Sequence, residues 1–85
     1  MKTLKILYMS DCEKSTYQCN QLRFAIDEYE KRILLYNVLD ENHKDIDCIT
    51  LVFENLNKML KASLLLTRTI NTFETIIVIH ADKIL

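Results

Sequence analysis

The chain has 85 residues, and none of them is glycine or proline. That double absence constrains the fold more than any motif in the sequence does. Tight hairpin turns place residues at positive φ and lean on glycine to do so, so a many-stranded β fold is not expected. Helical runs, by contrast, meet no proline that would interrupt them. The same absence removes phosphate loops, dinucleotide fingerprints and nucleophile elbows, each of which needs glycine where the backbone bends sharply or approaches a ligand.

The stretch from Ser10 to Glu41 accordingly reads as a long amphipathic helix. Ser10 and Glu13 have the spacing of a capping box. Cys19, Leu22, Ile26, Tyr29, Ile33 and Tyr36 recur at steps of three and four, which a helix would carry as one apolar stripe. A second apolar set, Tyr17, Phe24, Leu35 and Val38, projects from the side roughly opposite. These four residues are the candidate protein interface. They either pack under the chain's own terminal segments or form a surface for self-association or a target.

The polar cluster Asp40 to Asp47 turns the chain, with Asn42 the candidate for a left-handed backbone. From Ile46 to Ile70 the helical pattern resumes on Ile49, Val52, Leu56, Met59, Ser63, Leu66 and Ile70, widened by Phe53, Leu60 and Leu64. Before the long stretch, Leu4, Ile6 and Tyr8 alternate as in a strand while Leu4, Leu7 and Tyr8 also suit one helical turn, an ambiguous segment that leans to extended. After Ile70 the signals conflict. Asn71 and Glu74 look like a helix cap, whereas Thr75 to Ile79 is a β-branched run; a third helix has the edge, because an isolated two-stranded sheet is marginal.

The expected fold is therefore mainly α: a single small helical domain spanning residues 1–85. Helices at about 11–41 and 46–70 would form a long antiparallel hairpin with short terminal segments. Two such helices leave apolar edges uncovered, so a homodimer completing a four-helix bundle is expected. The alternative is β-α-α-β, with the two ends as antiparallel strands.

Chemistry is sparse. The 11 basic and 12 acidic side chains give a net charge of −1, too little to draw the chain to nucleic acid or an anionic membrane. Cys12, Cys19 and Cys48 are an odd set without CxxC spacing, read as reduced thiols rather than disulfides or metal ligands. His43 lies in the polar turn and reads as solvated, and His80 in an apolar run reads as partly buried. The apolar run Ile6 to Met9 is too short for a signal-peptide core, and the region 62–79 is broken by Arg68, Asn71 and Glu74 before it could span a membrane. No catalytic, cofactor or metal site is expected. The functional expectation is a cytoplasmic, non-enzymatic interaction module, a regulator or inhibitor that binds a protein partner through an apolar helical face. The alternative is a small dimeric DNA-binding regulator, for which no basic recognition helix is evident.

Overall fold

A computed structural model describes residues 1–9 and 12–85 and overturns the helical bundle: the chain is mainly β. In order, the elements are β1 (Lys2–Tyr8), β2 (Glu13–Asp27), β3 (Arg32–Leu39), β4 (Asp45–Ile46), β5 (Ile49–Val52), α1 (Leu56–Ile70), β6 (Ile76–His80) and β7 (Lys83–Ile84). The seven strands form one sheet ordered β6-β1-β2-β3-β5-β7, with β4 paired to β3, curled into a half-barrel. Both the helical hairpin and the β-α-α-β alternative fail on β2 and β3, which occupy the stretch read as the first helix. The Ser10 cap lies outside the described residues.

A defect in the ladder accounts for the misleading periodicity. Cys19 pairs with Val38 and Arg23 with Tyr36, so the three residues between them on β2 stand opposite the single Asn37 on β3. Asn37 takes a left-handed backbone, φ 60°, and its side-chain amide donates to the Gln21 carbonyl at 3.1 Å. This is a β-bulge on β2, and Asn37 opposite it takes the left-handed conformation that glycine holds at least cost. It converts the twofold alternation into a step of three on both strands: Cys19 and Leu22 are both buried, as are Leu35 and Val38. Beyond the bulge the supposed helical stripe is no face at all, since Tyr29 is 90% exposed in the turn and Ile26 and Tyr36 are also exposed.

The other turns likewise do without glycine. A loop of residues 28–31 joins β2 to β3, with Asp27 Oδ1 accepting the Glu30 N–H and Lys31 closing it at φ 56°. In the next loop Asp40 Oδ1 accepts the N–H groups of both Asn42 and Lys44, and the left-handed residue is His43 at φ 60°, not Asn42. Short acidic side chains that bond to nearby backbone thus fix turns that glycine would otherwise make.

Elsewhere twofold alternation holds. Leu4 and Ile6 of β1, Ile49, Leu51 and Phe53 through β5, and Ile77 and Ile79 of β6 point inward and are buried. The third helix expected after Ile70 is therefore β6, and the second helix begins at Leu56 rather than 46. That helix follows a physical start signal: the Asn55 side chain accepts the Lys58 N–H at 2.9 Å. Its Met59, Ala62, Ser63, Leu66 and Thr69 face the half-barrel, and fully burying a residue such as Met59 or Leu66 is worth roughly 1.5–3 kcal/mol. At the far end the Lys2 ammonium donates to the Thr69 and Thr72 carbonyls, placing a cation on the negative end of the helix dipole. Among the described residues no helix is long and apolar enough to cross a membrane.

The carboxyl-terminal segment ties the two ends of the sheet together. β6 runs parallel to β1 and β7 antiparallel to β5. Between them the Ala81 N–H donates to the Leu7 carbonyl at 2.8 Å and the Asp82 N–H to the Val52 carbonyl at 3.0 Å. Within one peptide step the chain leaves one end of the sheet and joins the other.

Candidate functional site

The four residues marked from sequence, Tyr17, Phe24, Leu35 and Val38, meet in one place, the interior of the half-barrel. Leu35 and Val38 are completely buried, and Tyr17 and Phe24 are partly buried against the same core. Tyr17 pairs with Leu4, and Phe24 with Leu35. His80 is exposed on β6 rather than partly buried, and His43 is exposed in its loop. Cys19 is buried beside β1 while Cys12 is exposed.

A surface open to a partner lies instead along β6 and the adjacent flank of α1. In the parallel ladder Thr3 donates to the Thr75 carbonyl and Ala81 to that of Leu7, so the N–H and C=O groups of alternate residues Ile77 and Ile79 turn toward β1. Those of Ile76 and Val78 turn the other way. β6 ends the strand order, and among the described residues no strand covers that edge. The side chains of Ile76 and Val78 are themselves 57% and 41% exposed. The strand carries none of the usual edge protection, neither lysine nor proline nor a bulge.

Helix α1 packs beside this edge and runs antiparallel to β6, as two ion pairs mark. Lys58 in the first turn meets Asp82 just past β6 at 3.1 Å, and Arg68 in the last turn meets Glu74 just before it at 3.4 Å. Asp82 is held firmly: its Oδ2 accepts the Glu54 N–H at 2.7 Å. Burial pulls the Asp82 carboxyl upward, but the Glu54 N–H and the Lys58 ammonium outweigh it and leave the group below its ordinary value. Between α1 and the end of β6 a cleft of about 350 Å³ opens, lined by Lys58, Lys61, Ala62 and Leu65 from the helix and by His80, the last residue of the strand, with Ala81 and Asp82 from the corner after it. Its lining mixes apolar Ala62, Leu65 and Ala81 with charged Lys58, Lys61 and Asp82. A second cleft, flanked by Lys2, Arg23 and Ile77, lies at the bulge, where Lys2 is already committed to the helix end.

Compared with protein-family models, curated proteins and solved structures, the chain shows no significant match to any. The site therefore stands on geometry alone. Sequence reasoning placed the interface on β2 and β3 and passed over Ile76, Val78, Lys61 and Leu65. The signal available was the run Thr75 to Ile79, whose alternation puts Ile77 and Ile79 inside and leaves two equally β-branched residues outside.

Proposed function

We propose that the chain is a non-enzymatic protein-interaction module, a regulator or inhibitor, that captures an extended segment of a partner along the edge of β6. One observation carries this reading: outward N–H and C=O groups of Ile76 and Val78 in an uncharged, β-branched edge strand. Such an edge is a template for strand addition, in which main-chain hydrogen bonds supply affinity and alternate side-chain contacts supply specificity. The surface thus moves from the helical face expected on residues 11–41 to a strand edge walled by α1.

The test uses the outward direction of the Val78 N–H. Proline at that position removes the open donor without deleting a bond to β1, which an edge strand tolerates. Affinity capture from the native host is run with wild type and Val78→Pro as paired baits after nuclease treatment. A protein held by the wild type and released by Val78→Pro supports the reading. Partners retained equally by both baits, or binding abolished by nuclease, would overturn it.

A further inference from the structure

Resting on that reading, we infer the chemistry of the bound segment: an acidic, extended peptide docked antiparallel to β6, with a carboxylate side chain for Lys61 and an apolar side chain two residues later. Three features of the cleft lead there.

The first is the charge left over along its helical wall. Lys58 and Arg68 are paired near the two ends of α1 with Asp82 and Glu74, but Lys61, between them in sequence and on the cleft wall, stands without an ion pair among the described residues. An ammonium at the lip of a partly apolar cleft favours an incoming carboxylate, and the neighbouring Leu65 and Ala62 favour a hydrocarbon side chain.

The second is register. An added strand hydrogen-bonds to Val78, and its neighbours on either side stand opposite Ile77 and Ile79, whose side chains face the interior and the helix. Antiparallel pairing is the more stable per residue and sets the order. The peptide enters at the His80 end, where Lys61 lines the cleft, so the residue opposite Ile79 is the acidic one. Two residues on, the side chain opposite Ile77 lies farther along α1, beside Leu65.

The third feature weighs against a second copy of this chain as the occupant. Pairing β6 with itself would be antiparallel about a twofold axis perpendicular to the sheet, which keeps both α1 helices on the same face. Lys58 and Arg68 would bring Asp82 and Glu74 with them, but Lys61 of one copy would share the groove with Lys61 of the other. Like charges oppose that arrangement, whereas a carboxylate from a different chain is attracted by it.

The probe is a library of random dodecapeptides displayed on phage, selected against the intact chain. The expected result is enrichment of Asp or Glu two positions before an aliphatic residue. A synthetic peptide of that pattern should shift and protect the Ile76 and Val78 amides in NMR exchange measurements. Its affinity should fall about tenfold or more on Lys61→Glu, the equivalent of roughly 1.4 kcal/mol. Val78→Pro and, should that variant fold poorly, Ile76→Lys should abolish it. Peptides that lose binding on Val78→Pro yet show no acidic preference and ignore Lys61→Glu would overturn this chemistry while leaving the module reading intact. Binding indifferent to both edge variants would overturn the two together. No enriched peptide, with sedimentation showing a dimer that Val78→Pro dissociates, would assign the edge to a second copy and likewise overturn the inference.

Discussion

Met9, Lys31, Asn37 and His43 hold left-handed backbone with φ between 53° and 60°, a conformation glycine adopts without a side-chain clash. For other residues it costs of the order of 1–3 kcal/mol each. Asn37 recovers part of that through its bond to Gln21, whereas no hydrogen bond of the Lys31 side chain is evident in its turn. Lys31→Gly is therefore expected to raise unfolding stability by about 0.5–1 kcal/mol, read as a higher urea midpoint; an unchanged or lower midpoint would show that the turn carries no such strain. A missing glycine is therefore not a missing turn, because the penalty of a left-handed residue is small beside a buried core. A second residue-level expectation concerns the thiols. Burial pushes the Cys19 thiol up, against the pull of Lys2 and the amino terminus, and thiolate is the reactive form. Alkylation followed by mass spectrometry should label exposed Cys12 in the folded chain and reach Cys19 only on unfolding.

Elements were legible where their own pattern was uninterrupted. α1 was legible only from Leu56 onward, since the helix expected from 46 ran its stripe through β5 and past the Asn55 cap, whereas β1 alternates cleanly through Leu4 and Ile6. β2 and β3 were not legible, because the bulge opposite Asn37 imposes a step of three that only the pairing of two strands explains. The same shift changes what Leu35 does. Completely buried and paired with Phe24, it belongs to the core and not to a surface. Leu35→Ala is expected to cost about 2–5 kcal/mol, and Leu35→Glu to unfold the chain rather than dissociate an assembly, as circular dichroism would show. The latch between α1 and the β6–β7 corner is sensitive to pH. The Asp82 carboxyl is depressed in the folded chain, so its contribution is present above the ordinary carboxylate value and is lost as pH falls through the folded value. Urea titrations below pH 5 should find Asp82→Asn less pH-dependent than wild type; parallel curves would remove Asp82 from the latch.

For the whole molecule, the candidate site was less legible than any single element, since the groove joins α1 to a strand whose open edge depends on the order of the entire sheet. The corner at Ala81 and Asp82 has a mechanical meaning as well. A pull on Met1 enters β1 at its start, and a pull on Leu85 reaches β6 through the two-residue β7 at its end. Because β1 and β6 are parallel, the two forces slide the strands past each other and load their five paired rungs, Thr3 with Ile76 through Leu7 with His80, all at once. Stretched in an atomic-force instrument between those two residues, the chain should resist and then rupture in one high-force event. Gradual yielding at low force would mean that the rungs open one after another, as a zip does, and that the parallel pair bears no shear.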